Sequence, residues 1–312
     1  FNDKIINHTI DRLGQNKLFK IVIKKLLTDK SFDKLDQISK DRGTSIDVLL
    51  KSYNLHNGNE NNEKEKEKRR LKILYIYMIP VFCRVGKKTA IKQVVSVKIP
   101  NDYDLYVEAF AGAAVIFYNQ DLENKKSILN DLDKDLMEGY KAIKKGITLD
   151  ENTFTFSNNP KVQEDFYKKT HSNHNDKFIA EVIRTCSTFG GTGKGKTYKP
   201  ITQGNFRKKI KNAKKQKDFF KNTRLFNTDY KNIIKKFDSN KTFFYLDPPY
   251  EKSKGLYKND SIDLNEMSNL LKNIKGRFLL SINDSPNVRN IFKDFKITSL
   301  EVRGAGGKGK DI

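Results

Sequence analysis

Phe243-Phe244-Tyr245-Leu246-Asp247-Pro248-Pro249-Tyr250 is the stretch that decides how this chain folds. Four apolar residues in a row suit a short strand buried on both sides, as found inside an α/β sheet. The strand stops at Asp-Pro-Pro-Tyr, because proline lacks an N–H and fixes φ, so two in succession end the ladder and hold the backbone extended. A carboxylate, a proline carbonyl and an aromatic ring are thereby gathered at the carboxyl end of a strand. That edge is where ligands bind in open α/β sheets.

These groups suit chemistry on the exocyclic amine of a base. Such an amine is a poor nucleophile because its lone pair is conjugated into the ring. The Asp247 carboxylate and the Pro248 carbonyl can each accept one N–H and turn the lone pair out of the ring plane. Tyr250 offers a π face to an extruded base, worth roughly 1–3 kcal/mol. The competing account is a plain strand and Pro-Pro turn, with Asp247 as a cap and Tyr250 as core filler; the neighbouring segments decide between the two.

The 312 residues carry a net charge of +23 and a pI near 9.7. A large α/β domain with appendages fits that length. The charge points to a polyanionic partner, nucleic acid ahead of an anionic membrane surface. No apolar run approaches the ~20 residues needed to span a bilayer. Cys83 and Cys186 are too few, and too distant in sequence, for a disulfide framework. They suit a reducing, intracellular setting: cytoplasm or nucleoid, or the nucleus or viral factory for a viral protein. His171 and His174 are near neighbours, but nothing adjacent completes a metal site, so no metal is expected. A chain opening on Phe1 is expected to lack its true start. A monomer or weak dimer is expected.

Residues 1–56 show helical periodicity and suit a helical appendage, and 57–70 form a charge-dense linker. Residues 71–149 and 223–312 suit two parts of one α/β domain, with a mostly helical region at 150–222 between them. Within the first of these, Asp104 to Ala114 runs from a strand into a turn of small residues, with a helix expected from Ala114. Small residues allow a ligand to approach the backbone, and a helix N-terminus favours anions. Ser127-Ile128-Leu129-Asn130-Asp131 is a strand ending in an acid, placed to bond ribose hydroxyls; a helix cap by Asp131 or Asp133 is the alternative.

Between 150 and 222 the α/β rhythm breaks. Arg207, Lys208, Lys209, Lys211, Lys214, Lys215, Lys217 and Lys221 face Asp218 alone, interleaved with Phe189, Tyr198, Phe206, Phe219 and Phe220. Basic groups with aromatics suit phosphate contact plus stacking, so Arg207, Lys208, Lys209, Lys214 and Lys215 are candidate nucleic-acid contacts. Gly190 to Thr197 satisfies G-x-x-x-x-G-K-T literally. A P-loop also needs a buried strand before it and a long helix starting at its Lys-Thr. Pro200 and Gly204 spoil that helix, and Ser187-Thr188 makes a poor strand. Downstream, Asp263 to Lys275 suits an amphipathic helix, and Phe278 to Ile282 and Ile297 to Arg303 suit strands. Strand and helix alternate, which implies a Rossmann-like, doubly wound sheet.

Several blocks then agree in order. From about Gly86 onward the chain resembles the Dam-like (D12 class) adenine-specific DNA methyltransferases, which use S-adenosylmethionine. The matching blocks are Gly86-Lys87, the loop Tyr106 to Gly112, Ile128 to Asp131, Thr188-Phe189-Gly190-Gly191, Asp247 to Tyr250, and Leu280 to Asp284. By that resemblance Lys87, Phe110, Gly112, Asp131 and, more weakly, Asp229 hold the cofactor. Asp247 touches both cofactor and target amine, with Pro248, Pro249 and Tyr250 completing the catalytic motif. Three positions depart from the family: Ala109 for a proline, Ala114 for a glycine, and Cys83 for a tryptophan.

The resemblance implies methyl transfer to adenine N6 in double-stranded DNA with the base flipped out. The motif chemistry serves cytosine N4 or an RNA adenine equally, and the family likeness alone selects DNA adenine. A cytosine-C5 enzyme is excluded, because it needs a cysteine, normally after a proline, and Cys83 follows Phe82 while Cys186 follows Thr185. The alternative from another class is a nucleic-acid-binding protein that keeps the scaffold without catalysis.

Overall fold

A computed structural model describes residues 80–84, 95–96, 98–120, 122, 125–188, 191, 199–249, 262–304 and 307–311, the last segments (301–304 and 307–311) as backbone only. The chain divides into two units, Phe1–Leu74 with Gln93–Val97, and Tyr75–Lys92 with Lys98–Ile312. Every element named here belongs to the second unit. The helical periodicity of residues 1–56 and the linker at 57–70 lie outside the described residues.

Five parallel strands form the main sheet in the order β3-β2-β1-β4-β5. They are β1 (Leu105–Glu108), β2 (Lys126–Asn130), β3 (Thr223–Phe226), β4 (Thr242–Leu246) and β5 (Arg277–Leu280). The order reverses between β1 and β4, which pair with Leu105 opposite Thr242 and Glu108 opposite Tyr245. That pair is the topological switch point of the sheet. The expected strand at Ile297 to Arg303 forms as β6 (Leu300–Gly304). It pairs antiparallel with β7 (Gly307–Asp311) in a ladder of its own.

Both faces of the sheet are covered, which is why β4 reads as an unbroken apolar run. Val107, Phe244 and Leu246 face helices α5 (Tyr230–Phe237), α6 (Leu264–Lys272) and α7 (Pro286–Ile291) through Ile233, Met267, Leu271 and Val288. Tyr106 and Phe243 point the other way, into an aromatic layer with Phe117. That layer continues through Phe220 to Tyr140 of α1 (Lys134–Lys145). Between β2 and β3 the chain inserts α2 (Pro160–Lys168), α3 (His174–Ser187) and α4 (Gln203–Gln216).

The helix expected from Ala114 does not form; only a 3-10 turn at Phe117–Asn119 follows the β1 loop. Gly112 and Ala114 adopt φ of +47° and +53°, which breaks helical continuity. Ala114 holds this left-handed conformation where the resembling family carries glycine, at a cost of about 1–2 kcal/mol that its buried surroundings must offset.

Asn130 fastens the carboxyl edge. Its amide nitrogen donates to Ala109 O and to Thr228 O, each at 3.0 Å, and its carbonyl accepts Thr228 N–H at 3.1 Å. One side chain at the end of β2 thus fixes the exits of β1 and β3. Asn130→Leu would leave these backbone groups without partners. It is expected to cost at least about 2 kcal/mol, measured as a lower urea midpoint at unchanged m.

Candidate active site

The switch point sets the site. Asp247 follows the last residue of β4, half-buried, with Pro248 buried and Pro249 half-buried behind it. Across the gap, Glu108 closes β1 at 1 % exposure. The Tyr106 hydroxyl donates to Glu108 Oε1 at 3.0 Å, while Oε2 is buried with no hydrogen-bond partner among the described residues. Burial pushes the Glu108 carboxyl well above the usual carboxylate range. The nearby Asp247 carboxylate pushes it further, against the pull of the Tyr106 hydroxyl and the Phe117 amide. Two carboxyl groups at adjacent strand ends, one of them favouring its protonated form, make an acceptor-rich pocket edge.

The β1 loop and the end of β2 form the adjoining rim. Asp131 accepts Gly112 N–H on Oδ2 and Asp133 N–H on Oδ1, both at 2.9 Å. Burial raises its pKa, with Arg84 and the two amides pulling the other way. Asp133, not Asp131, is the cap of α1, accepting from Asp135 N and Leu136 N. A Cβ added at Gly112 would meet nothing within 4 Å, so the loop faces open space there. Phe110 packs on Tyr230, ring centres 5.2 Å apart. The Tyr230 hydroxyl is buried without a partner among the described residues, and burial pushes it up to about 12. Asp229 caps α5 through Lys231 N at 2.8 Å. Leu132, which the sequence gave no reason to single out, stands 48 % exposed on the same rim.

A buried ion cluster backs this rim. Arg84 Nη2 and Arg184 Nη2 donate to Asp133 Oδ2 at 2.5 and 2.9 Å. Arg184 also grips Glu181 through Nε at 2.6 Å and Nη2 at 2.8 Å. Arg84 Nη1 reaches Gly191 O at 3.2 Å. Gly191 has φ of +70°, and a Cβ on it would lie 2.2 Å from Cys83 O, so only glycine fits. Gly191, the last residue of the aromatic–glycine block, is thus pressed against residues 83–84, and Phe189 and Gly190 lie outside the described residues. Glu181 and Arg184, three apart on one helix, form a pattern legible in the sequence; their burial is not.

Lys87 and Tyr250 lie outside the described residues. So does most of Gly190 to Thr197, but the segment before it is helix α3, not the strand a P-loop requires. Among the described residues no group of three or more His, Cys, Asp or Glu side chains could hold a metal ion. His171 and His174 instead bond backbone carbonyls of Phe166 and Gly146. No helix among the described residues is long and apolar enough to cross a membrane.

The aromatics of the basic tract need correction. Phe206, Phe219 and Phe220 are buried in the aromatic layers and cannot stack on a base. Lys214 pairs with Glu151 at 2.5 Å, Arg207 Nε reaches Phe154 O at 3.4 Å, and Lys209 turns inward to Val81 O and Cys83. Lys208 and Lys215 remain exposed, and Lys211 joins them on the same face of α4.

The profile of the D12 class N6 adenine-specific DNA methyltransferases matches residues 85–305. The chain belongs to that family. It is therefore an enzyme that methylates adenine in DNA at N6. The Type II methyltransferase M.CviBI of Paramecium bursaria Chlorella virus NC1A is 24% identical over 223 residues, 65% of this chain and 82% of that one. The Type II methyltransferase M.MjaIII of Methanocaldococcus jannaschii is 28% identical over 200 residues, 53% and 67% of the two chains. Membership makes a methyl donor and a DNA substrate necessary to this site.

The ion cluster gives the methyltransferase a measurable acid response. Burial alone would raise the Asp133 pKa, but Arg84 and Arg184 pull it from 3.8 to about 2. A depressed folded-state pKa contributes stability that is complete above about pH 4 and is lost as pH falls toward 2. Asp133→Asn should remove that acid-side slope in a pH series of thermal melts. At neutral pH it should cost about 3–5 kcal/mol, because two buried guanidiniums lose a shared carboxylate.

Proposed function

We propose that the methyl donor is S-adenosylmethionine, held along the carboxyl edges of β1, β2 and β3, with the target adenine at Asp247-Pro248. The donor set supports this reading. Asp131 suits ribose hydroxyls, Phe110 and Leu132 offer apolar contact to a purine, and Gly112 leaves the space a bound nucleoside needs. Asp247, one strand from Glu108, suits an ammonium group. The cofactor, when bound, supplies a methyl carbon already activated by a positively charged sulfur.

What the chain itself contributes is positioning. Asp247 and the Pro248 carbonyl accept the two N–H bonds of the adenine amine, and the carboxylate stabilises the positive charge that grows on nitrogen. Pro249 stiffens the exit, and Tyr250 stacks on the base. Lys87 keeps the role its motif gives it, pairing with a cofactor carboxylate, and Asp229 is the weaker adenine contact because its cap bond to Lys231 occupies one oxygen. The observation that carries the reading is the position of Asp247 at the switch point, one strand from Glu108.

The test is to incubate labelled S-adenosylmethionine with the chain and mixed DNA and RNA, then identify the modified nucleoside. N6-methyldeoxyadenosine is expected; label in RNA alone or on cytosine overturns the reading. Asp247→Ala should lower the rate by at least about 10²–10³-fold while leaving most non-specific DNA affinity. A chain that binds DNA but shows no cofactor affinity by titration would instead be a binding protein on this scaffold.

For DNA, the exposed face of α4 supports a phosphate-tracking role for Lys208, Lys211 and Lys215, whereas Arg207, Lys209 and Lys214 are half-buried and engaged with Phe154 O, Val81 O and Glu151. Replacing Lys208, Lys211 and Lys215 with glutamine should flatten the slope of log K against log salt by about 2–3 units, at about 0.9 per contact, on all sequences alike. An unchanged slope in a folded triple variant would mean that this face is only solvated.

A further inference from the structure

The chain has two cysteines in all, far apart in sequence, and the fold brings them together. Cys83 N–H donates to Thr185 Oγ1 at 3.4 Å, across 102 residues of chain. The Cys186 sulfur lies 3.7 Å from both Val81 O and Thr185 Oγ1. The Cys83 side chain beside it, together with burial, pushes the Cys186 thiol up, against the pull of Lys209. Lys209 Nζ stands 3.6 Å from Cys83 Sγ, held there by its bond to Val81 O. Both cysteines are half-buried. An ammonium directed at a sulfur favours the thiolate over the thiol, and the thiolate is the reactive form. Lys209 is also the lysine that leaves the exposed stripe of α4, so this contact explains its inward turn.

We propose that Cys83 and Cys186 form a redox-active dithiol, with Cys83 as the attacking thiol, Lys209 as its activating cation and a small-molecule disulfide as the oxidant. In the first step the Cys83 thiolate attacks one sulfur of the oxidant RS–SR. A Cys83–S–SR bond forms, the S–S bond of the oxidant breaks, and RS⁻ leaves and takes up the Cys83 proton. In the second step Cys186 loses its proton and attacks Cys83 Sγ, forming the Cys83–Cys186 bond and releasing a second RS⁻. Two protein thiols are oxidised and one external disulfide is reduced to two thiols. The bond would tie residues 80–84 to helix α3, at the place where Gly191 already presses on Cys83 O. In a reducing compartment such a pair is a sensing element and not a permanent staple.

The absence of other cysteines makes the test direct. The full chain is incubated with glutathione disulfide and followed by intact mass and peptide mapping. The expected product is a monomer lacking two hydrogens, with Cys83 and Cys186 peptides joined, no glutathione retained, and full reversal by dithiothreitol. Cys186→Ser should instead retain one glutathione on Cys83. Cys83→Ser should react at Cys186 at least about tenfold more slowly, and Lys209→Met should slow the first step about threefold to tenfold. A parent chain that stays reduced, holds glutathione without internal bonding, or links through cysteine to a second chain overturns the proposal. So does Cys83→Ser reacting as fast as Cys186→Ser. The parent measurement does not depend on how any variant folds.

Discussion

The parallel pairing of β1 with β4 in the middle of a sheet covered on both faces governs the rest of the molecule. Backbone groups there are satisfied by the ladder, and side chains from Val107 to Leu246 are packed away from water. Polar chemistry can surface only where the strands stop. Asp247 and Glu108 sit one strand apart at that stop, so their mutual influence follows from register and not from a flexible loop. The Pro-Pro pair ends β4 abruptly, and Asn130 and Asp131 hold the neighbouring exits in step with it.

Behind this edge the insertion takes part in holding the fold. Its helix α3 turns Glu181 and Arg184 inward to share Asp133 with Arg84, and α1 meets α3 at Gly139, where a Cβ would lie 2.7 Å from Phe82 and 2.8 Å from Glu181. Buried ion clusters of this kind contribute little net stability compared with apolar packing, yet losing one member is costly. The cluster therefore acts as a requirement for one arrangement of residues 82–84, α1 and α3.

Much of the sheet was legible in the residues because its signals are local. The apolar run of β4, the acid after β2 and the alternation of strands and helices depend on a few adjacent positions, and the structure bears them out. The misses have one physical origin, tertiary context. Ala114 looked like the start of a helix, but the turn around it imposes a positive φ. Phe206, Phe219 and Phe220 looked available to bases because aromatics among lysines resemble a stacking surface; which side of a helix is buried depends on partners elsewhere in the chain. Lys209 was drawn inward for the same reason, and Lys214 was taken up by Glu151. Glu108 lay inside a quoted motif, but its buried, half-satisfied carboxyl is a property of the fold alone.

The two long insertion helices are constrained differently by their contacts. The inner face of α3 carries the carboxylate and guanidinium that hold Asp133 and Arg84, so it cannot change without loosening the rim at the end of β2. The outer lysines of α4 touch nothing else among the described contacts and are free to be rewritten. Exchange of the whole insertion between relatives would carry both helices together and risk the first to alter the second. Surface changes are better made on the solvent side of α4, one residue at a time, with α3 left as it stands.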